Sequence, residues 1–296
     1  MIYRYLTIAG FTTRLCLADH FGHLPIPAAW RPFLADEAPA APLFTVNVHP
    51  GTAPCSAYGL QELTVSFNDL GEARLFTDSR RYVVGLSPVS GHGFDFMLLA
   101  DDFSSADVWV DPADAYASFT IDSMIRIFFS QAILPHNAFH IHASTVVAGG
   151  NAYLFMGRSG TGKSTHSSMW LQAFADTELL NDDNPVVRIL PDGSVRVYGS
   201  PWSGKTPCYR NVSAPVAGFV RLIQAPTDAY RPLADIDAFI ALIPGVSTIH
   251  HSRLLSDAAT AAVATVAAAV PVGLLECRPH PDAARLCRTS LSTPQG

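Results

Sequence analysis

The chain has 296 residues, 49% of them hydrophobic, and a formal net charge of −6. That is core material for one large domain or two small ones, and an acidic balance without any Lys/Arg-rich run argues against nucleic-acid binding. Five scattered cysteines, Cys16, Cys55, Cys208, Cys277 and Cys287, form no C-x-x-C pair, so neither a disulfide framework nor a zinc ribbon is indicated; reduced, buried thiols in a cytoplasmic protein fit better.

In chain order, residues 1–112 read as β-rich. The runs "YRYLTIAG", "RLCLA", "LFTVNV", "ELTVSF", "RYVVGL" and "FDFMLLA" are short and apolar or alternating, with Gly, Pro, Asn and Asp between them. Residues 24–42, rich in Pro and Ala, read as a loop. Arg4 and Arg14 in the first strand pair, with no small-residue cleavage site, argue against a signal peptide. From residue 115 to 134 apolar residues recur at helical spacing (Phe119, Ile121, Met124, Ile125, Phe128), which predicts a buried helix leading into a second domain, 113–296.

"FHIHASTVVA" and "AYLFM" then read as strands, followed by a glycine-rich segment, a helix and the strand "TELLN". "PVVRIL" and "SVRVYG" form a predicted hairpin turned by Pro191-Asp192-Gly193, and "GFVRLIQ" adds another strand. The uncharged stretch 258–275 is mostly alanine and is divided by Pro271. It reads as a packed helix over 256–269, capped by Ser256 or Asp257, and then a strand "VGLLEC", rather than a membrane span.

Two segments fit the phosphate-loop (Walker A) pattern G-x-x-x-x-G-K-[ST]: "GRSGTGKS", residues 157–164, and "GSPWSGKT", residues 199–206. Such a loop wraps backbone N–H groups around a phosphate and opens a helix whose N-terminus adds partial positive charge. The first match follows an apolar strand and precedes "STHSSMWLQAF", which holds neither Gly nor Pro. Gly157, Ser159, Gly160, Thr161 and Gly162 let the backbone approach an anion; Lys163 reaches the β- and γ-phosphates; Ser164 offers its hydroxyl to Mg2+, with Thr165 beside it. In the second match Pro201 removes an N–H and Trp202 brings an indole to where the backbone must approach phosphate. The segment "PCYRNVSAP" after it leaves no room for a helix. The first match is therefore the expected nucleotide site, and the second is not.

Eighteen residues after Ser164 come Asp182 and Asp183, just past an apolar strand. That interval allows one helix, one turn and one strand, and brings both carboxylates to the loop end of the sheet. One acid can hold Mg2+ while the other takes a proton from an attacking hydroxyl; the plain alternative is a solvated turn. His140 and His142 alternate on a strand and would share a face, but no third metal ligand lies nearby, so core or hydrogen-bonded histidines are expected.

With "GRSGTGKST" followed by "LLNDDN", and His142 on the strand before the loop, residues 139–221 resemble the HPr kinase/phosphorylase and phosphoenolpyruvate carboxykinase superfamily. The resemblance implies an α/β fold, a P-loop kinase-like domain beside the β-rich N-terminal domain, with ATP or GTP and Mg2+ as cofactors. It implies Asp182 as general base, Asp183 as metal ligand with Ser164, and His142 orienting the acidic centre. In the carboxykinases both acids lie near metal and phosphate, so that division of labour stays open. Thr165 stands where HPr kinases carry an acidic residue, and "SPWSGKTPCYRN" replaces their downstream Glu-containing signature. Lys205 and Arg210 in that segment are candidates to offset charge on the transferring phosphoryl group, the alternative being an ordinary surface loop. The implied function is phosphoryl transfer to a hydroxyl of a protein Ser or a small molecule. A carboxykinase-like lyase and a non-catalytic nucleotide-dependent regulator are the competing readings. The acceptor, the choice of ATP or GTP and the oligomeric state, a homo-oligomer included, are not written in the sequence.

Overall fold

The computed structural model describes residues 1–35, 42–53, 59–204 and 206–292. It is a mixed α/β chain with two sheets, in two compact units, Met1–Ala132 and Ile133–Gly296.

The first unit holds β1 (Ile2–Ile8), β2 (Phe11–Leu17), β3 (Phe44–Pro50), β4 (Gln61–Asn68), β5 (Gly71–Thr77), β6 (Tyr82–Ser87), β7 (Asp95–Leu99), β8 (Ser105–Val110) and α1 (Ala117–Ala132). They form one sheet in the order β1-β2-β3-β8-β7-β6-β5-β4. Alternation sets its inner face: Phe44, Val46 and Val48 of β3 are buried, with Thr45 and Asn47 between them less so. The helix α1 lies against β3, β7 and β8, and its Phe128 and Phe129 meet Phe44 edge-on. The units part between Ala132 and Ile133, so this helix, expected in the second domain, groups with the first sheet. Its buried face is the reason. The expected loop at 24–42 contains a short 3-10 turn, Ala28–Phe33, that buries Trp30 and Phe33; residues 36–41 lie outside the described residues.

The second unit contains β9 (Ala138–His140), β10 (Ala143–Ala148), β11 (Asn151–Met156), α2 (Lys163–Ala173), β12 (Thr177–Asp183), β13 (Val186–Ile189), β14 (Val195–Tyr198), β15 (Ser213–Gln224), β16 (Ala229–Leu233), α3 (Asp235–Leu242), α4 (Arg253–Ala269), β17 (Val272–Cys277) and α5 (Pro281–Ser292). Strand β15 is the hinge of its sheet. Its first residues pair with β14, which continues to β13 and β9; its last pair with β17, which continues to β16. On the other side run β11, β10 and β12. Both β11 and β12 are antiparallel to β10, while β15 is parallel to β11 and β17 to β15. The C-terminal ends of β11, β12, β15 and β17 therefore emerge at one edge, where open α/β sheets build their sites. Trp170 of α2 and Cys287 of α5 are fully buried in the apolar cluster on one face of this sheet. The alanine-rich helix starts earlier than expected. Ser252, not Ser256 or Asp257, caps it by accepting from the Leu255 N–H at 3.4 Å. No helix among the described residues is long and apolar enough to cross a membrane.

Candidate functional site

Strand β11 ends at Met156, the glycine-rich loop occupies 157–162, and α2 opens at Lys163. Gly160 (φ 82°) and Gly162 (φ 97°) are left-handed, a backbone state that a side chain would strain. The loop tip closes where Thr161 donates to the Arg158 carbonyl from its N–H at 3.1 Å and its hydroxyl at 2.8 Å. The start of α2 carries no side-chain cap, which leaves its N–H groups and dipole for a ligand. Lys163 folds back so that Nζ donates to the Gly157 carbonyl at 3.2 Å. Burial pulls the ammonium pKa down, while the charges of Asp183 and Asp182 push it up, so the lysine sits in the field of both acids. Ser159, Ser164 and Thr165 are exposed.

The two acids end β12, the strand that runs in the same direction as β11. Asp182 pairs in register with Ser144, whose hydroxyl bonds Ser167 of α2 at 2.6 Å. Asp182 thus shares the face of Ser144, toward α2, and Asp183 follows at the very end of the strand, where its charge also acts on Lys163. Asp182 is 4% exposed, and neither carboxylate oxygen has a hydrogen-bond partner among the described residues. Asp183 is held: His142 Nδ1 lies 2.9 Å from Oδ1, and the Asn184 amide donates to Oδ2. A residue the motif reading passed over organises this corner. Asn181, fully buried, accepts from the Asp183 and Asn184 N–H groups at 3.0 and 2.9 Å. Its only sequence signal is its place in the run "NDDN".

The expected pairing of His140 and His142 on one face does not occur. Strand β9 stops at His140, the Ile141 and His142 N–H groups go to Pro185 and Gly245, and β10 starts at Ala143. His140 is buried edge-on to Trp202, 5.2 Å between centroids, while His142 reaches the acids.

The second pattern match takes another shape. Three of its N–H groups are spent on the protein: Gly199 donates to Val212, Trp202 to the Ser200 hydroxyl, and Gly204 to the Asp182 carbonyl at 2.9 Å. No helix follows; β15 begins at Ser213. The segment straps across the acidic corner instead. The Asn181 amide donates to the Trp202 carbonyl at 3.1 Å, and the Ser200 hydroxyl donates to the Asn184 carbonyl at 2.6 Å. Lys205 lies outside the described residues. Arg210 is engaged at the other end of β12, donating to the Leu179 carbonyl at 2.8 Å and pairing with Glu178.

Among the described residues no three His, Cys, Asp or Glu side chains converge on a point that would hold a metal. The donor set at hand is two carboxylates and the Ser164 hydroxyl. That set suits Mg2+, which takes one or two carboxylates and fills the rest of its shell with water and phosphate oxygens. The unpartnered buried oxygens of Asp182 are polar atoms that a ligand bound at this corner would satisfy.

No family model matches the chain, and no curated protein matches it. Among solved structures, the HPr(Ser) kinase/phosphatase from Coxiella burnetii is similar to it over 52% of this chain and 99% of that chain, at 12% identity and a TM-score of 0.31.

Proposed function

We propose that the second unit is a nucleotide-dependent, Mg2+-requiring phosphotransferase, HPr kinase-like in its loop and paired acids, that moves a phosphoryl group to the hydroxyl of a protein Ser or a small molecule. One observation carries the reading. A buried carboxylate without a single hydrogen-bond partner among the described residues, Asp182, lies at the strand end beside a loop lysine whose charge feels it. An unpaired buried acid is costly, so its survival fits a ligand that completes it.

In this reading the loop N–H groups, the α2 dipole and Lys163 hold the β- and γ-phosphates. Bound Mg2+ would neutralise phosphate charge, held by Ser164 and Asp183, with Asp183 steadied by His142 and Asn184. No donor among the described residues occupies the oxygens of Asp182, which leaves them able to take the acceptor's proton. The acceptor oxygen forms a bond to the γ-phosphorus, the bond to the β–γ bridging oxygen breaks, and the nucleoside diphosphate leaves. Lys205 acts on the transferring group, and Arg210, tied to Glu178, holds the strap to β12. Asp182→Asn should lower transfer about a hundredfold or more while nucleotide affinity stays within a few-fold, read by a hydroxyl-acceptor panel and by calorimetry. Undiminished transfer by that variant would remove the assignment.

A further inference from the structure

On the flank of the loop away from the acids is a cavity of about 280 Å³, lined by the first turns of α2 and by residues at the C-terminal ends of β15 and β17. Met169, Leu222 and Ala225 give it apolar walls, and Gln224, His166 and Arg278 give it polar edges. His166 is 1% exposed, and its Nε2 lies 3.1 Å from Trp170 Nε1. An indole N–H only donates, so Nε2 accepts. The one ring proton is therefore on Nδ1, a buried donor that has no partner among the described residues.

Gln224 is oriented as well. Its Nε2 donates to the Gly160 carbonyl at 3.2 Å, which fixes the amide and leaves Oε1 as the acceptor it offers. Arg278 forms a rigid rim, its guanidinium and backbone N–H both bound to Asp228 at 2.8 Å.

We propose that this cavity binds the adenine ring of the nucleotide whose phosphates the loop holds, with His166 Nδ1–H donating to a ring nitrogen and Gln224 Oε1 accepting from the exocyclic amine. This rests on the phosphotransferase reading for the phosphates alone. An acceptor beside an amine is the pattern adenine presents along one edge; guanine's corresponding edge offers two acceptors. Strand order supports the orientation. In β12-β10-β11-β15-β17 the loop strand lies between the acids and the cavity, so a nucleotide laid across it turns its terminal phosphate to Asp182 and its base to His166.

The test is calorimetric titration of the full chain, with Mg2+, against ATP, GTP and inorganic tripolyphosphate. ATP should bind at least tenfold tighter than GTP and tripolyphosphate. His166→Leu should bring ATP down to the tripolyphosphate affinity without changing the latter, and His166→Asn, which keeps a donor near Nδ1, should restore part of the loss. Ala225→Trp fills the cavity from the rim, leaves His166 in place and should give the same loss. In the wild-type chain, the 15N signal of His166 should show the Nδ1–H tautomer and move with ATP but not with tripolyphosphate. Tripolyphosphate or GTP binding as tightly as ATP overturns the adenine site and leaves the phosphate loop standing. Failure of every ligand to bind overturns the phosphotransferase reading itself.

Discussion

Residues 157–164 and 199–206 satisfy the same eight-letter pattern, yet the chain folds them in opposite ways. In the first, the glycines at 160 and 162 turn left-handed and an uncapped helix starts at once, so backbone donors remain for an anion. In the second, Gly199, Trp202 and Gly204 donate to Val212, Ser200 and Asp182, and a buried indole pins the segment to His140. The lesson is about spare hydrogen-bonding capacity. A glycine-rich run binds phosphate when its neighbours leave its N–H groups open, and becomes a structural strap when they do not. The strap is still part of the site, because it grips the strand that carries the acids.

The widest gap between the two segments should be seen in their lysines. Lys163→Ala should weaken nucleotide binding by about a hundredfold or more, since in the proposed reading this half-buried ammonium, in the field of both acids, holds the β- and γ-phosphates. Lys205→Ala should leave nucleotide affinity within about twofold and lower turnover about tenfold. Titration and initial rates on the two variants measure both quantities. Equal losses of affinity would erase the distinction, and unchanged turnover in Lys205→Ala would leave the strap's cation without a catalytic part.

A second difference is electrostatic and responds to pH. His166, one turn into the loop helix, has its pKa pushed down to about 4 from 6.5 by burial. A histidine whose folded pKa is depressed keeps its full stability above the unfolded value. Stability is then lost as pH falls from about 6.5 toward 4, because only the unfolded chain takes the proton; the limit is about 3 kcal/mol. Asp95, on β7 of the first unit, has the opposite sign. Burial raises its carboxyl to about 6 from 3.8, so its stabilising effect is present below 3.8 and lost as pH rises through 6. Urea denaturation at pH 7 and pH 5, followed by probes in each unit, should show the second unit weaker at pH 5 and the first stronger. His166→Leu should flatten the first response and Asp95→Asn the second.

What can be read from the letters follows the same logic of neighbours. Strands β3, β6 and β7 are legible because apolar residues alternate or run together, and α1 because its apolar residues recur at helical spacing. Strands β5, "GEARLFT", and β8, "SADVWV", escape the sequence reading: every residue of β5 is half-buried, so no alternation marks it. Strand β16 is hidden by Pro232, which its edge position tolerates, and α3 and α5 merge in sequence into an undivided helical tail. At the site, the loop and the acids have a motif spacing to announce them. Asn181 and His166 act through contacts with Trp202 and Trp170, and only folding reveals which of those polar atoms is satisfied. The histidine alternation fails because a backbone exchange at Ile141 ends β9 before His142.

The finest separation lies in two glycines. Gly162 sits at φ 97°, and a β-carbon added there would meet only Thr165, 3.8 Å away, so alanine brings torsional strain rather than a clash. The cost is about 1 kcal/mol, or a melting shift of about 2–4 °C, together with a loop displaced from the anion. Gly204 is the converse. Its Cβ would stand 2.6 Å from the Asp182 carbonyl oxygen, so an added methyl pushes on the strand bearing the acids. Gly162→Ala should therefore lower nucleotide affinity, whereas Gly204→Ala should leave affinity alone and lower turnover, at a larger cost in melting temperature because the clash is with backbone. Calorimetry and initial rates distinguish the two patterns. If Gly204→Ala instead lost nucleotide and kept its turnover, the strap would be serving as the phosphate cradle, and the roles assigned to the two segments would have to be exchanged.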